Sequence, residues 1–158
     1  MFLIIIIVAI IALDQWSKWA IKTSYNLYET KPVIQDLLHF TYVTNDGMAF
    51  GLSFPGGKLV LLVITILLTI FIAILLWKER NSHPLLKFGL ALIFSGAVGN
   101  LTDRMIYGKV VDFIDIMIGN FHWYIFNIAD SSVSIGMVLF IIHSILFESE
   151  ISNTKEID

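Results

Sequence analysis

The sequence predicts an all-α integral membrane protein: four transmembrane helices with a small extracytoplasmic β-sheet in the first loop. The composition is the first ground for this. Hydrophobic residues make up 57% of 158 and charged residues 15%, with a mean hydropathy of +0.82, whereas a soluble domain holds roughly 45–50% and about 25%. Too little polar surface remains to cover a water-soluble globule. The second ground is a set of four apolar segments near the ~20 residues that a helix needs to cross hydrocarbon. The third is a stretch between the first two segments that alternates like a strand and ends in a turn signal.

The spans fall near 2–20, 58–77, 87–104 and 125–147, forming a single membrane domain over 1–147. The first opens on Phe2 to Leu13, an apolar run that no Lys or Arg precedes and no small-residue cleavage site follows, so it reads as a retained helix rather than a secretory signal. Leu59 to Trp77 is the cleanest span, uncharged and interrupted only by two threonines. The third and fourth carry glycines and serines, which let helices approach closely; these two are expected at the centre of the bundle.

The first loop, about 21–57, has Leu38, Phe40 and Tyr42 in alternation before Asn45-Asp46-Gly47, the pattern of a small surface sheet. Phe50, Phe54 and Pro55-Gly56-Gly57 then lead back into the bilayer. Lys78, Arg80 and Lys87 place the second loop in the cytoplasm by the positive-inside bias. Both termini are then cytoplasmic too, and the first loop and the third, about 105–124, face outward; Lys18, Lys22 and Lys31 oppose this count. The polar tail 148–158 reads as disordered and cytoplasmic.

Several function classes drop out. A net charge of -3 without a basic stripe gives no footprint for nucleic acid. The absence of cysteine removes thiolate nucleophiles and Cys-ligated metals. His39, His83, His122 and His143 lack ligand spacing, and Ser17, Ser95, Ser131 and Ser132 lack an elbow motif.

The carboxylates are the informative residues, because ionisable groups near membrane spans call for a partner or a task. Asp103, Asp112, Asp115 and Asp130 all lie between the end of the third span and the start of the fourth, hence at one face of the bilayer. Asp112 is flanked by Val110, Val111, Phe113 and Ile114, surroundings that disfavour its charged form. Asp130 stands at the mouth of the fourth helix, where the positive end of the dipole favours a carboxylate. If the loop folds back so that they meet, one acid holds a proton while the other is ionised, as needed to activate water and protonate a leaving group.

Plainer readings stand beside this one. Asp112 also reads as a loop acid pointing to water, and Asn127 with Asp130 as a helix cap with an acidic first-turn residue. Asp103 beside Arg104 reads as an ion pair at a helix end, and Asp14 with Lys18 as an i,i+4 pair. Gly96 and Gly99 suit helix packing, Asn45 divides between turn residue and substrate contact, and Asn100 needs polar partners at membrane depth. Asp112, Asp115 and Asp130 offer oxygen ligands to a divalent cation, yet no spacing selects a metal. A small proton-coupled transporter is the competing class; it predicts acids spread through the bilayer depth, whereas these gather at one end. A membrane scaffold predicts that neutralising Asp112 or Asp130 alters folding more than activity. The Gly-x-Gly-Asp pattern of presenilin-type proteases is absent.

Five ordered segments add a resemblance: Asp14-Gln15-Trp16-Ser17-Lys18, Asn45-Asp46-Gly47-Met48-Ala49-Phe50-Gly51, Gly96 through Arg104, Val110-Val111-Asp112-Phe113 and Phe126-Asn127-Ile128-Ala129-Asp130. Together they resemble the signature blocks of bacterial lipoprotein signal peptidase, signal peptidase II, over nearly the whole chain. That resemblance implies a membrane aspartyl endopeptidase of the bacterial cytoplasmic membrane that removes the signal peptide from diacylglyceryl-modified prolipoproteins, cutting before the lipidated cysteine. It implies Asp112 and Asp130 as the catalytic pair near the outer face. Asp14, Asn45, Asn100, Arg104, Asn127 and Ala129 fall at substrate-binding or supporting positions, joined by Lys18, Gly99 and Asp103. No cofactor or metal is implied; membrane lipid and a globomycin-type inhibitor are expected partners, and a monomer is the expected state. Ser95, Met48 and Val133 depart from the family pattern without touching the pair.

Overall fold

The structure, a computed structural model, describes residues 2–47, 57–119 and 121–155. Among the described residues the order is α1 (Phe2–Ser24), β1 (Thr30–Ile34), β2 (Leu38–Asn45), α2 (Gly57–Lys78), α3 (Pro84–Tyr107), β3 (Val110–Ile118), β4 (Phe121–His122) and α4 (Ile128–Lys155). Each helix has the length and apolarity to cross a membrane. Polarity runs inside out. Ile4, Ile5, Leu67 and Phe71 are more than half exposed, whereas Asp14, Lys18 and Asp103 are buried; this is the distribution expected when lipid is the solvent and polar groups must find partners inside.

Helix α3 touches each of the other three, most extensively α4. Small residues permit this. A Cβ on Gly136 would come within 2.6 Å of the Gly89 carbonyl oxygen, and one on Gly96 would overlap the Ala129 carbonyl oxygen. Helix association in lipid depends on such close backbone approach. Gly96→Val is therefore expected to force α3 and α4 apart at a cost of ~1–3 kcal/mol, lowering the apparent Tm in detergent by several degrees; an unchanged melt would contradict the packing.

At the end of α3, Gly108 adopts φ 68°, and its N–H donates to the Arg104 carbonyl. This left-handed cap turns the chain into β3 at Val110. The sheet runs β1-β2-β3-β4, with each neighbouring pair antiparallel. The first-loop sheet is present, but half of its strands come from the third loop, which the sequence reading left without regular structure. Val110 to Ile118 is rich in β-branched residues, which suits a strand. The opposite register of Val43 with Asp112 and Asn45 with Val110 seats the end of β2 beside the first acid.

Two boundaries differ from expectation. Helix α4 begins at Ile128, which leaves Asn127 just outside it, and its backbone continues to Lys155, so most of the tail expected to be disordered is helical. The expected return of Phe50, Phe54 and Pro55-Gly56 into the bilayer lies outside the described residues.

Candidate active site

The two acids reach each other through backbone pairing. Phe126 forms an isolated antiparallel bridge with Ile114: the Ile114 N–H donates to Phe126 O at 2.7 Å and the Phe126 N–H to Ile114 O at 3.0 Å. The residue after that bridge is Asn127, which is fully buried. Its Nδ2 donates to Asp112 Oδ1 at 2.7 Å, and its backbone N–H donates to Asp130 Oδ2 at 3.2 Å. Its Oδ1 accepts from the Asp130 N–H at 2.9 Å, which completes a reciprocal cap at the start of α4. The cap reading of this segment is realised, and the same Asn127 also joins the two acids.

A cavity of about 600 Å³ opens beside the pair, within the size range of ligand sites. Its polar lining includes Asn45, Asn100, Arg104, Asp112, Tyr124 and Asp130, and its apolar walls Val110, Trp123, Phe126, Val133 and Ile135. Asn100 Nδ2 donates to Asp130 Oδ1 at 2.7 Å, and Asn45 Nδ2 to Asp112 Oδ2 at 3.2 Å. Asp112 is 2% exposed. Burial, reinforced by repulsion from the Asp130 carboxylate, pushes its pKa up to about 6, against the opposing donations from Asn45 and Asn127.

Behind the cavity lies an ion triad. Lys18 Nζ sits 2.8 Å from Asp14 Oδ2 and 3.2 Å from Asp103 Oδ2, and it donates to Asn100 Oδ1 at 3.0 Å. An ammonium only donates, so this contact turns the Asn100 oxygen toward Lys18 and its NH₂ toward Asp130. Asp14 Oδ1 accepts from the Ala129 N–H at 2.9 Å, and Asp103 Oδ2 from the Val111 N–H at 3.2 Å. The triad thus ties α1 to the starts of α4 and β3, the two segments that carry the acids. Gly99 makes room for it, since a Cβ there would lie 2.6 Å from Asp14 Oδ2 and 3.2 Å from Ala129 Cβ.

Two expectations are corrected. Asp103 pairs with Lys18, not with Arg104; the Arg104 guanidinium instead lines the cavity, where it faces the charges of Asp130 and Asp112, and reaches the carbonyls of Asn100 at 3.4 Å and Gly47 at 3.5 Å. Neighbouring residues on a helix point about 100° apart, so adjacency in sequence does not make a pair. Asp115 stands three residues along β3 from Asp112, which puts it on the opposite face. There it accepts from Thr41 Oγ1 at 2.7 Å and contacts His122 Nδ1 at 2.9 Å, so it is not available to a cation site with Asp112 and Asp130.

Asn45 takes the turn role, its Oδ1 accepting from the Gly47 N–H at 3.0 Å, and its side chain also lines the cavity beside Asp112. The sequence reading passed over two residues. Gln15 Nε2 donates to Asp14 Oδ2 at 3.1 Å, Gly99 O at 3.1 Å and Asp103 Oδ1 at 3.0 Å; its place beside Asp14 was the available signal. Tyr124 Oη accepts from Asn45 Nδ2 at 2.6 Å and lines the cavity; only its nearness to Phe126-Asn127 marked it.

Comparison with known proteins agrees with this architecture. A family model described as signal peptidase (SPase) II matches residues 6–146. The lipoprotein signal peptidase of Desulforapulum autotrophicum is 45% identical over 141 residues, covering 86% of each chain. That of Pelotomaculum thermopropionicum is 37% identical over 156 residues, covering 99% of each. A solved structure described as a bacterial membrane enzyme, determined by the in meso method at 2.3 Å resolution, superposes with a TM-score of 0.81 at 34% identity, covering 94% of this chain and 90% of that one. The chain is a multi-pass membrane protein of the signal peptidase II family.

Proposed function

We propose that this protein is a membrane aspartic endopeptidase that removes the signal peptide from diacylglyceryl-modified prolipoproteins, cutting before the lipidated cysteine. The observation that carries the proposal is the pair of carboxylates, Asp112 and Asp130, facing one cavity and bridged by Asn127. In the reaction Asp130 takes a proton from water as the oxygen attacks the scissile carbonyl. Asp112 donates its proton to the carbonyl oxygen, forming a neutral diol; on collapse Asp130 passes the proton it took from water to the departing nitrogen and a diol hydroxyl returns a proton to Asp112. Water adds across the peptide bond, so no acyl-enzyme forms. Asn45, Asn100 and Asn127 hold the carboxylates, and Arg104 offers donors to the substrate backbone.

The acids sit at the end of the bundle opposite the Lys78–Lys87 loop. With that loop in the cytoplasm, both termini are cytoplasmic and the site lies near the outer face of the cell membrane. The lipid tails of the substrate then stay in the bilayer beside the apolar walls. One chain carries both acids, so a monomer suffices, and a globomycin-type cyclic peptide competes for the same cavity. A proton-relay carrier would need acids through the membrane depth, whereas these gather at one end.

The test is cleavage of a diacylglyceryl-modified prolipoprotein by purified protein across pH 4–9. The Asp112 pKa of about 6 sets the sign: kcat/KM falls as pH rises through about 6, where the proton donor is lost, and falls again in acid as the second carboxylate is protonated. In kcat the alkaline limb lies higher, because bound substrate excludes further water from Asp112. Absence of cleavage by the wild type, or a flat profile between pH 5 and 8, would remove the two-acid mechanism.

A further inference from the structure

We infer that Tyr124 is a positioning residue for the reaction, its phenol oxygen holding the Asn45 amide in the orientation that serves Asp112. The inference rests on the endopeptidase reading above. Contacts with described residues orient that amide. Its Oδ1 accepts from the Gly47 N–H at 3.0 Å, which directs the NH₂ the other way, and the NH₂ is divided between Asp112 Oδ2 at 3.2 Å and Tyr124 Oη at 2.6 Å. Tyr124 is itself held on both sides by β3, the strand that bears Asp112. The Trp123 N–H donates to Ile116 O at 2.7 Å, and Phe126 bridges Ile114. The phenol, the amide and the acid therefore form one connected hydrogen-bond chain anchored on β3.

The competing role is plain wall packing, since Tyr124 is half-buried and lines the cavity. Tyr124→Phe separates the two, because it keeps the ring and removes only the oxygen. The charged and titratable groups facing Asp112 are Asp130 on α4, Arg104 on α3 and Lys18 on α1, with Tyr124 behind Asn45. The variant changes none of these charges at working pH. Donation from Asn45 favours the Asp112 carboxylate, so loosening it moves the alkaline limb of the kcat/KM profile to higher pH.

The experiment measures kcat, KM, the pH profile and apparent Tm for wild type, Tyr124→Phe, Asn45→Ala and the double variant on a diacylglyceryl-modified prolipoprotein. A neutral hydrogen bond sets the scale, giving a drop in kcat of about 3- to 10-fold, with KM within about twofold, a limb displaced upward, and little further loss from Tyr124→Phe when Asn45 is already Ala. A wild-type kcat with an unmoved limb overturns the inference, as does a lowered Tm with an unmoved limb, or an equal loss in the Asn45→Ala background. If the wild type itself does not cleave, the endopeptidase reading falls first and this inference with it.

Discussion

Asp112→Asn and Asp130→Asn are each expected to lower prolipoprotein cleavage by about 10,000-fold or to background, since each removes a group that the proposed reaction uses to move a proton. Their folding should survive. Asp112 has a folded pKa of about 6 against an ordinary 3.8, so the folded state binds the extra proton. Stability is then highest with Asp112 protonated and falls as pH rises from about 4 through 6. Asparagine removes that penalty but accepts through only one oxygen, so it cannot satisfy both Asn45 and Asn127 as the carboxylate does. The apparent Tm of Asp112→Asn in detergent should therefore equal or exceed that of the wild type at pH 8, with the advantage shrinking toward pH 5. Variants that are inactive and also unfolded would support a scaffold role for these acids; variants that are folded and still cleave would end the aspartic mechanism.

Lys18→Met carries the largest expected cost in stability. Lys18, Asp14 and Asp103 are each no more than 2% exposed, and removing the cation leaves two carboxylates without their counter-charge. Breaking a buried pair from one side typically costs ~3–5 kcal/mol, which for a chain of this size lowers Tm by on the order of 10 °C. Activity should fall as well, because Asn100 loses the contact that turns its NH₂ to Asp130. Replacing Asp14 and Asp103 by Asn alongside Lys18→Met should restore part of the lost Tm, since no buried charge then lacks a partner. A single variant as stable as the wild type in a matched melt would show that the triad does not hold the helices together.

Much of this site was legible from local chemistry. Apolar runs of membrane length mark the four helices, and an acid among large apolar residues marks Asp112. The i,i+4 spacing of Asp14 and Lys18 is realised as a 2.8 Å contact. The cap formed by Asn127 and Asp130 likewise follows from a three-residue spacing within one helix start. These are properties of a few neighbouring residues, so the sequence by itself determined them.

Contacts between distant segments were decided only by the tertiary structure. The Ile114–Phe126 bridge brings Asn127 under both acids, and the turn at Gly108 feeds β3 into the first-loop sheet. Strand alternation then sends Asp115 to Thr41 and His122, away from Asp112. Helix rotation gives Asp103 to Lys18 and leaves Arg104 facing the cavity. Periodicity states which face of an element a residue occupies, but not which other element will lie against that face. That choice depends on close helix packing at Gly96 and Gly99 and on strand register, both set by the simultaneous fit of all four helices and the sheet.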